Sequence, residues 1–100
     1  MSEFNQEIKQ DKGKLKLSLV PLEIVKCIAR VREMGLLKYP DRDSWKRIET
    51  ERIREAAFRH FLLYMEEPYG TDAESGLPHL WHLASNIAFL CELEKNKSDI

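Results

Sequence analysis

The sequence predicts a small all-α domain, and three observations carry that prediction. Apolar residues recur at helical spacing in three separate stretches, proline and glycine fall between them, and no two alternating runs are present to pair as strands. One hundred residues make one domain at most, and so short a chain buries a thin core. The expected architecture is a three-to-four-helix domain with an extended N-terminal arm, completed by self-association into a homo-oligomer.

From the N-terminus, residues 1–13 carry few apolar side chains and no sustained period, which reads as a flexible tail. Lys14–Val20 alternates Leu with basic or polar residues; with no second strand to pair with, it reads as an arm lying over the domain. Pro21 opens the first helix, because its missing N–H has no helical partner in a first turn. Ile24, Val25, Ile28 and Val31 hold the helical spacing to about Met34, and Gly35 is the expected C-cap. Lys38 to Asp43 is a loop, with Asp43 or Ser44 available to cap the next helix.

Trp45 to about Met65 is helical in composition, with Trp45–Thr50 as a possible separate turn and Ile48, Ile53, Ala56, Ala57 and Phe61 as core candidates. Pro68 to Asp72 breaks the chain. Ser75, followed by Gly76 and Pro78, is expected to start a last helix running to about Glu94, with a frayed end at 96–100. The domain thus spans residues 14–95.

The last helix holds the costly positions. Its sequence, LPHLWHLASNIAFLCEL, is apolar nearly all round and is expected to be buried, yet it carries His79, His82 and Asn86. Offsets of i, i+3 and i+7 put all three on one face. Buried polar groups need partners, since each one left unsatisfied costs about 1–3 kcal/mol. They make either a hydrogen-bonded seam between helices or a ligand or metal site. Arg52, Glu55 and Arg59 repeat the same spacing on the middle helix, with His60 beside them. Glu51 and Glu55, one turn apart, can also place two carboxylates on one cation. Asp72 and Glu74 precede the last helix: Glu74 reads as dipole compensation, Asp72 as a ligand candidate. Lys38 and Tyr39, just after the first helix, read either as groups that meet a phosphate and a base or as a loop lysine and a packing tyrosine. Trp45 and Trp81 read as core or interface residues.

Charge and composition exclude several classes. A net charge of -1 provides no general basic field for a nucleic-acid polymer, so any nucleotide is held by a local charge cluster or a metal. No apolar run reaches the roughly 18–20 residues of a membrane span, and the polar N-terminus lacks a signal-peptide core, so a cytoplasmic location is expected. Cys27 and Cys91, each among apolar residues, read as buried reduced thiols.

In order along the chain, Asp11-Lys12, LKLSLVPLE, ARVREMGLLKY, DSW, RIREAAFRH and DAESGLPHLWHLASNIAFL together resemble the phage-associated dATP/dGTP diphosphohydrolase N-terminal-domain family. That family stands near the all-α, MazG-like nucleotide pyrophosphohydrolases. The resemblance covers residues 11–94; its most specific pieces are Arg59-His60 and the run from Asp72 through Ser75-Gly76-Leu77-Pro78-His79 to His82. It implies metal-dependent cleavage of a purine deoxynucleoside triphosphate to monophosphate and pyrophosphate, in the host cytoplasm where the protein is phage-encoded. Carried over by position, Glu55, Arg59 and His60 are the catalytic candidates. Lys38, Tyr39, Arg59 and Asn86 are the substrate-binding candidates, and Glu55, Asp72, His79 and His82 the metal ligands.

One departure bears on the metal. MazG-type enzymes hold magnesium with two acidic pairs, whereas here His79 and His82 stand where the second pair belongs. Imidazole favours zinc, manganese or iron over magnesium, so Mg, Mn and Zn all remain candidates. Two other readings stand beside the hydrolase: a binding protein that sequesters a nucleotide without turnover, and a structural helical module whose polar seam fixes helix register.

Overall fold

The structure, a computed structural model, describes residues 12–98, with side chains through residue 95. Three helices form the domain: α1 (Glu23–Lys38), α2 (Thr50–Glu66) and α3 (His79–Ser98). Short 3-10 turns lie at Leu17–Leu19 and Ser44–Arg47, so Trp45 does begin apart from the long middle helix. Most of the expected tail lies outside the described residues.

The packing order reflects the apolar patterns. α1 and α2 each pack on α3 and not on each other. α3 carries apolar side chains around most of its circumference and can serve two neighbours, whereas α1 and α2 each turn one apolar stripe toward it. An open groove therefore runs over α3 between its two flanking helices.

Several boundaries depart from the sequence expectation. α1 does not end at Met34 with Gly35 as its cap. It continues to Lys38, and the Tyr39 N–H bonds the Gly35 carbonyl at 2.8 Å. An interior glycine costs a helix only about 1 kcal/mol, which one further hydrogen-bonded turn offsets. The stop comes from Pro40, which drives Tyr39 to extended backbone at φ -126°, ψ 93°. Neither Asp43 nor Ser44 caps a helix through its side chain; the Asp43 N–H is instead taken by Asp41 Oδ1 at 2.9 Å.

α3 starts at His79, four residues later than Ser75, and continues to Ser98 past the expected end at Glu94. The intervening residues form a closed loop in which Thr71 and Pro78 make an isolated antiparallel bridge. Gly76 turns that loop at φ +74°, a left-handed conformation open to glycine.

Burial is the largest correction. α3 is half-buried rather than enclosed, with Leu80 and Ile87 exposed. Cys27 is half-buried and Cys91 exposed, and both are free thiols. Among the described residues only Ile53, Ala57 and Ser85 are buried. The 14–20 arm does not cover the domain, since Leu15, Leu17 and Leu19 are all exposed. Three helices with a groove between two of them have too few facing surfaces to enclose the apolar residues this sequence supplies. No helix among the described residues is long and apolar enough to cross a membrane.

Candidate functional site

The loop between α2 and α3 brings an acid to the histidines. The Asp72 N–H bonds the Leu77 carbonyl and the Gly76 N–H returns to the Asp72 carbonyl, both at 2.8 Å. Asp72 Oδ2 accepts the N–H groups of Ser75 (2.9 Å) and Glu74 (3.1 Å). The His79 N–H bonds the Gly70 carbonyl at 3.1 Å and seats the start of α3 against the loop. Local backbone bonding therefore fixes Asp72 beside the first turn of α3.

Three histidines meet there. His60 of α2 faces His79 of α3 with their Nδ1 atoms 3.2 Å apart, and the His60 ring stacks on His82 at 4.8 Å between centroids. His82 Nε2 shares a 2.6 Å hydrogen bond with the Ser75 hydroxyl, whose oxygen also accepts the Leu77 N–H at 3.1 Å. That leaves the hydroxyl hydrogen available to Nε2.

One ligand atom from each of His60, Asp72 and His79 lies within 4.8 Å of the others. Donor atoms sharing one cation through bonds of about 2.1 Å stand about 3.0–3.4 Å apart, octahedral to tetrahedral. The 3.2 Å between the facing nitrogens fits that spacing, as it fits a direct imidazole–imidazole hydrogen bond. The cluster can chelate a divalent metal.

The protonation states suit a cation. Burial pushes the His60 and His82 imidazoles below their ordinary range; the His82 charge adds to this at His60, while Asp72 opposes it at both. At Asp72 burial works against the charge. The Ser75 N–H, the nearby His82 and the Glu74 N–H outweigh it and hold the carboxyl below its usual value. Neutral imidazoles beside an ionised carboxylate are the forms that bind metal.

A cleft of about 710 Å³ opens beside this cluster, within the range of small-molecule sites. Asp72, Ser75 and His82 line one end, Ser85 and Asn86 the floor, Phe89 and Trp45 the other end, and Lys38 and Tyr39 the α1 side. Trp45 stacks on Phe89 with centroids 4.5 Å apart, and the Arg32 guanidinium sits 4.9 Å from the Phe89 ring centroid. A second cavity of about 440 Å³ is lined by Arg52, Arg59, Ala56 and Ile53 of α2, and shares Tyr39, Asn86 and Phe89 with the first.

The expected site residues divide accordingly. Asp72, His60, His79 and His82 come together as a cluster, with Lys38, Tyr39 and Asn86 along the adjoining cleft and Arg59 in the neighbouring cavity. Lys38 is held by Glu74 at 2.8 Å, which gives Glu74 an ion-pair partner in addition to its place near a helix start. Glu55 is exposed and stands outside the His60–Asp72–His79 group. Sequence reasoning took Ser75 for a helix cap and did not single out Ser85, Phe89 or Arg32. Ser85 and Phe89 do carry a readable signal, since offsets of three and seven residues from His82 put them on its side of α3.

The family model described as dATP/dGTP diphosphohydrolase, N-terminal, matches residues 5–100. A dATP/dGTP diphosphohydrolase of Salmonella phage PMBT28 is 38% identical over 90 residues, covering 90% of this chain and 30% of that protein. The chain thus spans about a third of that relative's length. No solved structure matches it.

Proposed function

The chain belongs to the dATP/dGTP diphosphohydrolase N-terminal family, and on that premise we propose that its cleft binds a purine deoxynucleoside triphosphate with a divalent metal and serves its hydrolysis to monophosphate and pyrophosphate. The observation that carries this reading is the His60–Asp72–His79 group opening beside a nucleotide-sized cleft. Manganese or zinc suits two imidazoles and one carboxylate better than magnesium does. A bound ion supplies Lewis acidity toward a phosphoryl oxygen and a water of lowered pKa.

The chain's own side chains take the remaining roles. Arg59 is exposed and forms no ion pair among the described residues, so its guanidinium is available to phosphate oxygens. Lys38 adds a point charge, which a phosphate gains by competing with Glu74. His82, neutral and anchored by Ser75, offers a proton-transfer group at the cluster's edge. Glu55 is unpartnered among the described residues but lines neither cavity, so a role for it requires a nucleotide that extends beyond the cleft along α2.

The test is incubation with dATP and dGTP in Mn²⁺, Mg²⁺, Co²⁺ or Zn²⁺, with product analysis. We expect pyrophosphate and the monophosphate to appear with metal and to vanish in Asp72→Asn. A second reading has its own support: the metal-capable group contains one carboxylate rather than acidic pairs. Nucleotide binding without turnover under every metal would favour that sequestering reading.

A further inference from the structure

Ser85 is 2% exposed and polar in the middle of an apolar helix, and it lies on the cleft floor beside Asn86. Neither side chain forms a hydrogen bond among the described residues, and no fully enclosed polar atom lacks a partner. The unpaired Ser85 hydroxyl is therefore not completely sealed and keeps a sliver of surface at the cleft lining. Burying an unpaired polar group is costly unless a ligand completes it. Asn86 adds an amide with two donors and an acceptor, and both cavities reach it.

The surroundings indicate which part of a nucleotide belongs here. Tyr39, Trp45 and Phe89 make this part of the cleft aromatic: Trp45 and Phe89 stack on each other and present their edges, and the exposed Tyr39 on the α1 side offers a ring for a flat heterocycle to stack on. The histidine cluster lies toward the start of the same helix. His79 and Asn86 are seven residues apart, about 10 Å along the axis, comparable with the reach from a base to its outer phosphates.

We infer that Ser85 and Asn86 form the base-reading subsite, hydrogen-bonding the edge of a purine that carries its 6-substituent. This rests on the proposed nucleotide-binding function and adds to it the groups that select the base. A carboxamide accepts from a 6-amino group while donating to an adjacent ring nitrogen. Rotated by half a turn, it donates to a 6-oxo group and accepts from the adjacent ring N–H. The neighbouring hydroxyl donates or accepts as either arrangement requires. One subsite therefore accommodates both adenine and guanine and disfavours a purine with hydrogen at position 6.

The experiment is equilibrium binding of dATP, dGTP and the 6-unsubstituted purine deoxynucleoside triphosphate, with Mn²⁺ present, to the wild type, Ser85→Ala and Asn86→Leu. Circular dichroism of each variant checks that the helices are retained. We expect the wild type to bind the 6-unsubstituted nucleotide at least about fivefold more weakly, the low end for loss of a paired base contact. In Asn86→Leu the three affinities converge, and Ser85→Ala narrows the gap. Equal wild-type affinities for all three, or a preference that survives both substitutions, would overturn the subsite while leaving nucleotide binding intact. Binding of none of the three would instead overturn the proposed function, and the subsite with it.

Discussion

His60 meets His79 nitrogen to nitrogen and stacks on His82, and burial depresses its imidazole together with that of His82. The folded groups titrate below the unfolded value of 6.5, so the folded state takes up protons less readily than the unfolded chain. Their effect on stability is absent above about pH 6.5 and becomes a penalty as pH falls toward the folded pKa values. In EDTA, the melting temperature is expected to drop between pH 7 and pH 5, and to drop less in His60→Asn. A melting temperature that rises on acidification would contradict the burial argument. The histidines were legible in the sequence because helical phasing alone aligns His79 with His82. The pairing of Ser75 with His82 was not, because it depends on a loop closed by Gly76 and the Thr71–Pro78 bridge.

Along α2, apolar side chains occupy two different sides. Ile53 and Ala57 face α3 and are buried, whereas Phe58, Phe61, Leu62 and Met65 form an i, i+3, i+4, i+7 stripe that stays exposed. A helix that presents such a stripe to water is short of a partner. We expect self-association, with this stripe packing on a second copy because two-fold pairing lets one patch bury itself. Light scattering at micromolar concentration should give a mass of at least twice the 11.8 kDa of one chain, and Phe61→Glu with Met65→Glu should lower it. A monodisperse single-chain mass for the wild type would exclude the oligomer. Periodicity located all three helices, and α2 ended within a residue of expectation. It failed at Gly35, because a glycine one turn before Tyr39-Pro40 cannot be distinguished by type from a true C-cap. It failed again at Ser75, whose hydroxyl oxygen does accept the Leu77 N–H as a cap would, but the left-handed Gly76 and the Thr71–Pro78 bridge turn the chain into a closed loop and delay the helix to His79.

At the scale of the whole molecule, α3 serves as a shared spine. One end of it supplies His79 and His82, its middle Ser85 and Asn86, and Phe89 lies one turn further on. α1 and α2 stand apart on either side and leave the cleft open above it. The sequence showed that α3 is apolar on most sides, from which enclosure was expected; it does not show that the flanking helices leave each other untouched. The arrangement places a metal-capable cluster beside one end of a cleft and aromatic side chains toward the other, so metal and nucleotide should bind cooperatively. The most direct measurement is calorimetric titration with a non-hydrolysable dATP analogue, with and without Mn²⁺, on the wild type and His79→Ala. Manganese is expected to tighten nucleotide binding at least about tenfold in the wild type, a coupling of ~1.4 kcal/mol, and to have little effect in His79→Ala. Nucleotide affinity that is the same with and without the metal, or a metal effect that persists in His79→Ala, would contradict it.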